Sequence, residues 1–111
     1  MPRITFVELP TADLAASRLF YSDAFGLAFT DFGPTYSCTM TGDVDLGLQA
    51  DVQEATTAPL PVIAVDDLND ALEAVEKAGG TITKPVFAFP GGRRFHFRDP
   101  GGNELAVLKI D

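Results

Sequence analysis

The sequence predicts an α+β fold built from two similar halves, each running strand, helix and then three strands. Three observations carry this expectation. Short runs of alternating apolar and polar residues, the period of half-buried strands, surround two stretches whose apolar residues recur every three or four positions. Gly-, Pro- and Asp-rich turn signals separate those runs. Laying Asp13-Leu14 over Asp67-Leu68 brings Gly26 onto Gly80, an internal offset of about 54 residues of the kind a duplication leaves.

Each element follows from local chemistry. The first strand spans Ile4 to Leu9 and ends at Pro10, and Thr11 or Asp13 caps the first helix. Leu14, Ser17, Phe20, Tyr21, Ala24 and Phe25 form its expected apolar face, and Gly26 stops it. Strands follow near 27–32, 35–41 and 44–50, divided by Gly33-Pro34 and Gly42-Asp43. Residues 51–59 lack apolar period and read as a linker between module one, residues 1–50, and module two, residues 60–111. Module two opens with a strand at Leu60 to Val65. Asp66-Asp67 then cap a helix with Leu68, Ala71, Leu72, Val75 and Ala78 on one face, ended by Gly79-Gly80. Its remaining strands lie near 81–87, 93–98 and 104–110.

Composition narrows the function. The 111 residues are 46% hydrophobic with nine Phe, enough for a packed core in one domain. A net charge of -8 argues against nucleic acid and anionic membrane as partners, since both demand a basic surface. No apolar run of signal-peptide or membrane-spanning form opens the sequence, so the expected location is cytoplasmic. Cys38 is the single cysteine and reads as a small buried hydrophobe. The Gly pairs at 91–92 and 101–102 lack the strand-to-helix context of a phosphate loop.

Alternation divides the last hairpin into two faces. Phe95, Phe97, Leu105 and Val107 belong under the helices. Arg94, His96, Arg98, Glu104, Ala106 and Leu108 share the other side, with Arg98 opposite Glu104, His96 opposite Ala106 and Arg94 opposite Leu108. Two sets alternate on the third strand, Tyr36, Cys38 and Met40 against Ser37, Thr39 and Thr41. The apolar set is expected to pack under the first helix, leaving the hydroxyls for the opposite face.

The segments Val7-Glu8-Leu9-Pro10-Thr11-Ala12-Asp13-Leu14, Phe20-Tyr21, Phe25-Gly26 and Phe97-Arg98-Asp99-Pro100-Gly101-Gly102-Asn103 resemble the vicinal oxygen chelate superfamily, which includes glyoxalase I, fosfomycin-resistance enzymes, extradiol dioxygenases and bleomycin-resistance proteins. The resemblance implies two βαβββ modules whose mixed sheet curls around a cavity, often with two chains completing equivalent sites. In metal-dependent members, the end strands and first strands of each module supply His or Glu ligands. Those positions fall here on Phe6, Gly47, Leu60 and Ala106, none of which can donate to a divalent ion.

The resulting expectation is a metal-independent protein, without cofactor, that binds and sequesters a small organic drug or metabolite, working as a homodimer. Its binding residues are expected to be Phe6, Glu8, Gly47, Gln49, Leu60, Val62, Arg94, His96, Glu104 and Ala106. Three alternatives stay open: a metal-free lyase or isomerase with His96 as acid or base, a metal enzyme with ligands relocated to Glu8, His96 and Glu104, and an assembly or accessory module whose cavity is filled by its own side chains. The structural reading of Glu104 is a cross-strand partner for Arg98. Glu8, a carboxylate beside Phe6, needs a partner or a ligand.

Overall fold

The computed structural model describes residues 2–111. In chain order the elements are β1 (Arg3–Pro10), α1 (Leu14–Phe25), β2 (Phe29–Asp31), β3 (Tyr36–Thr39), β4 (Asp45–Gln49), β5 (Leu60–Ala64), α2 (Leu68–Lys77), β6 (Thr81–Phe89), β7 (Gly92–Arg98) and β8 (Glu104–Ile110). The chain divides into two compact units, Phe6–Leu60 and Pro61–Asp111 with the first residues through Thr5. Residues 51–59 contain no strand or helix. No helix among the described residues is long and apolar enough to cross a membrane.

In the first module the strand order is β2-β3-β4-β1, with β1 parallel to β4 and β3 antiparallel to both its neighbours. Asp13 caps α1 by accepting from the Ala16 amide, and Gly26 ends it in the left-handed conformation at φ 69°, where a Cβ would be strained. The expected apolar face of α1 is not buried. Phe20 is 60% exposed and Phe25 69%, and no residue of the helix is fully buried. The half-buried stripe is instead Leu14, Ser17, Arg18, Tyr21 and Ser22, spaced three and four apart.

That stripe is half polar, and hydrogen bonds hold it. Ser17 shares a 2.6 Å bond with Thr11, and the Ser22 hydroxyl donates to the Leu27 carbonyl. Arg18 pairs with Asp31 on β2 at 2.6 Å and donates to the Ser37 hydroxyl on β3. Ser37 in turn donates to Asp31, so this hydroxyl, followed by Arg18, holds the Asp31 carboxyl below the usual carboxylate range. Ser37 therefore lies on the helix side of the sheet. The expectation that hydroxyls would take the other face is corrected: a polar helix stripe needs polar partners beneath it.

The second module orders its strands β5-β8-β7-β6, with β5 parallel to β8 and the rest antiparallel. Asp67 caps α2, and this helix packs in the ordinary apolar way. Leu68, Phe95 and Val107 form its buried core, with Val65, Ala71, Leu72, Val75, Val86 and Phe97 against them. The hairpin register is as the sequence predicts: Arg98 opposite Glu104, His96 opposite Ala106, Arg94 opposite Leu108. Cross-strand pairs extend the far face to Val62 on β5 and to Lys84 and Phe87 on β6. These elements make an α+β architecture of two modules, each running strand, helix and then three strands.

Candidate functional site

The far face of the second module gathers its polar groups around His96. The side chain is 0% exposed, and its Nδ1 lies 2.9 Å from Glu104 Oε2. A carboxylate oxygen only accepts, so Nδ1 carries the proton and Nε2 presents a lone pair. Nε2 is buried and meets no hydrogen-bond partner among the described residues. Glu104 is held by a second donor, the Thr83 hydroxyl at 3.2 Å. Its partner is thus His96 on the diagonal rather than Arg98, which donates to the Gly102 carbonyl. Burial is the main cause that depresses the His96 pKa, reinforced by the Arg94 and Lys84 charges and opposed by Glu104, so the ring is neutral at pH 7.

Phe87 sits among these groups, with the Arg94 guanidinium 5.3 Å, the His96 ring 5.8 Å and the Lys84 ammonium 6.0 Å from its centroid. Strict alternation cannot place Lys84 and Phe87 on one face, being three residues apart. Register shifts on both sides of Lys84 and a proline at position 85 make it possible, as edge strands tolerate bulges and a missing N–H. Nothing in the hydropathy pattern signals this, which is why neither residue stands out in the sequence. Leu60, Val62 and Ala106, expected to line a site, are buried apolar residues, and Val62 and Ala106 are cross-strand neighbours beside His96.

In the first module, register sets Glu8, Gly47 and Cys38 side by side across β1, β4 and β3, with Gln49 opposite Tyr36 one step along. Glu8 is 4% exposed, and its Oε1 accepts from Gln49 Nε2 at 3.3 Å. Gln49 cannot turn around, because its Oε1 accepts from the Asp51 amide. Phe6 is half-buried on the same strand as Glu8. The Tyr36 ring lies over Gly47: a Cβ there would collide with the phenol oxygen, and the ring carbon bearing it is 3.1 Å away. Tyr36 and Cys38, missed as site residues, thus occupy the face opposite Ser37. Cys38 is buried, and burial first, then the Asp45 and Glu8 charges, push its thiol up to about 11.

Among the described residues no three of His, Cys, Asp and Glu come together as a metal-holding group. The relocated ligand set Glu8, His96 and Glu104 divides between the two units, Glu8 in one and His96 with Glu104 in the other. Glu8 is engaged with Gln49, and His96 spends its Nδ1 on Glu104.

The Glyoxalase/Bleomycin resistance protein/Dioxygenase superfamily model matches residues 3–107. The chain is 30% identical to "Putative glyoxylase CFP32" of Mycobacterium bovis over 117 residues, covering 96% of this chain and 45% of that protein. It thus spans about half the length of the curated relative. A "Glyoxylase-like domain-containing protein" of Didymella fabae is 31% identical, over 95% of this chain and 91% of that one. Among solved structures, a Mn(II)-bound glyoxalase from Novosphingobium aromaticivorans superposes with a TM-score of 0.68 at 25% identity, covering 98% of this chain and 40% of that one. With the matching fold and nearly the whole chain aligned, this protein belongs to the glyoxalase/bleomycin resistance protein/dioxygenase superfamily.

Proposed function

We propose that the protein is a metal-independent, small-molecule-binding member of this superfamily that sequesters an organic drug or metabolite, as a cytoplasmic homodimer. The observation that carries the reading is position 47. A side chain that coordinates a metal from there must begin with a Cβ, and the Tyr36 phenol occupies that space. Phe6, Leu60 and Ala106 likewise offer no donor atom. In their place each module carries one organised polar pair among apolar residues of its own, Glu8 with Gln49 in the first and His96 with Glu104 in the second, the composition of a face that orients an organic ligand. The exposed Leu19, Phe20 and Phe25 of α1 supply apolar surface for a second copy.

Elemental analysis of protein purified without chelator tests the metal half of this reading, and native mass spectrometry of the same sample tests the binding half. The expected result is no stoichiometric Zn, Ni, Mn or Fe together with a retained organic mass. A metal at about one equivalent per chain, lost on dialysis against chelator and restored on addition, overturns it.

A second reading, a metal-free lyase or isomerase, is favoured by one feature: Glu104 fixes the His96 tautomer with Nε2 as the basic atom, the arrangement a general base requires. A turnover that follows His96 ionisation and vanishes in His96→Gln would replace sequestration with catalysis.

A further inference from the structure

We infer that the outward face of α1 is the seam on which a second copy docks, the two α1 helices lying antiparallel across a twofold axis between Leu19 and Phe20. This rests on the homodimer proposed above and names the surface that forms it. The first observation is that α1 is inside out. Its half-buried side is the polar one, with Ser17, Arg18 and Ser22, whereas Ala16, Leu19, Phe20, Asp23 and Ala24, spaced three and four apart, are exposed. Leu19 is 61% exposed and Phe20 60%. The other helix keeps the ordinary order, since the residues α2 exposes include Asp70, Glu73, Glu76 and Lys77. An outward stripe with one charge and a Leu-Phe pair at its centre marks a contact surface.

Charge at the helix ends selects the occupant. Beyond its Asp67 cap, α2 carries Asp70 in its first turn and Lys77 in its last, and both offset the helix dipole. Beyond its Asp13 cap, α1 has no acidic residue in its first turn and no basic residue in its last. Antiparallel pairing supplies the missing acid. With the axis between Leu19 and Phe20, Leu19 of one copy meets Phe20 of the other, and Asp23 reaches Ala16 in the opposing first turn. Each helix thus gives its carboxylate to the positive end of the other, and the two dipoles oppose. Ala16 and Ala24 leave shallow positions on either side of the Leu-Phe pair, so the ridges of one helix can enter the grooves of the other. One surface complements itself twice, which is what an isologous contact requires.

Sedimentation of the full chain at about 50 μM, where an interface of micromolar strength is populated, should show a dimer. Phe20→Glu is expected to weaken the dimer at least about tenfold, because it puts a charge at the centre of the seam. Asp23→Asn should weaken it about two- to fivefold, the loss of one carboxylate at a helix N-terminus. Both positions are exposed, and an unchanged urea midpoint of the diluted monomer shows that the fold is kept. Cross-linking reads the register independently. Ala16→Cys chains mixed with Asp23→Cys chains in oxidised glutathione should form a disulfide-linked dimer, while neither variant links to itself. In this register like positions are about 10 Å apart along the axes at about 1.5 Å per residue, beyond the reach of a disulfide at about 7 Å. The native Cys38 is buried and takes no part. A dimer unmoved by Phe20→Glu, a missing mixed link or a link in Ala16→Cys alone overturns the α1 seam and leaves the homodimer standing. A wild-type monomer at about 50 μM overturns both.

Discussion

The Tyr36 hydroxyl lies where the Cβ of any residue other than glycine at position 47 would be. The two positions therefore form one packing unit across β3 and β4. Gly47→Ala should cost about 1–3 kcal/mol through overpacking, measured by urea denaturation. In a Tyr36→Phe background the added methyl meets only the ring carbon at 3.1 Å, so part of that cost should vanish. A coupling of at least about 0.5 kcal/mol is expected from the double-mutant cycle. Strict additivity would mean the phenol is not over Gly47.

Phe95 and His96 are adjacent, equally buried and on opposite faces of β7. Phe95→Ala opens a cavity in the α2 core and should cost about 3–5 kcal/mol. His96→Ala removes a hydrogen bond to a carboxylate and should cost about 1.5–3 kcal/mol. Thermal denaturation of the two variants checks the order. A His96→Ala loss within experimental error of zero would show that the Glu104 contact contributes nothing to the fold.

The pH dependence of stability follows from the depressed His96 pKa, whose first cause is burial. In the unfolded chain the imidazole titrates near 6.5, and in the native protein it resists protonation until lower pH. Between those two values the unfolded state binds more protons, so stability rises with pH. The contribution is complete above pH 6.5 and declines as pH falls below it, levelling off beneath the native pKa. Denaturation midpoints of wild type and His96→Gln should converge on acidification from pH 7. A gap that stays constant or widens contradicts a buried neutral imidazole.

Cys38 should be inert. With its thiol near 11 against an ordinary 9.0, its thiolate fraction at pH 8 is about a hundredfold below that of a free cysteine, one decade per pKa unit. Reaction with a disulfide reagent should be at least that much slower in the native protein than in urea. Equal rates would place the sulfur at the surface.

Much of this was legible in the sequence because two local rules act without reference to distant contacts. Alternation gave the face of every residue from Arg94 to Arg98, and capping chemistry placed Asp13 and Asp67 at helix starts. Alternation assigns direction but not burial: His96 points away from the core of Phe95 and is still fully buried. It also fails wherever register shifts, which is how Lys84 and Phe87 came together unannounced. The face of β3 was misread for a different reason. Hydropathy alone says that hydroxyls avoid helices, but Ser37 answers Arg18, a residue whose role depends on Asp31 thirteen positions later. The partner of Glu104 was missed because a diagonal neighbour, His96, outbid the residue directly opposite.

The two helices hold to their sheets by different kinds of force, and they will respond differently to solvent. α2 buries Leu68 against Phe95 and Val107, an attachment whose strength fades on cooling with the heat-capacity signature of apolar surface. α1 reaches its sheet through Arg18, which pairs with Asp31 on β2 and donates to Ser37 on β3. Added salt screens the exposed Arg18–Asp31 pair in that fastening and leaves the α2 contact untouched or strengthened. The first helix is thus the half of the molecule tuned by ionic strength, and the second is the half tuned by temperature.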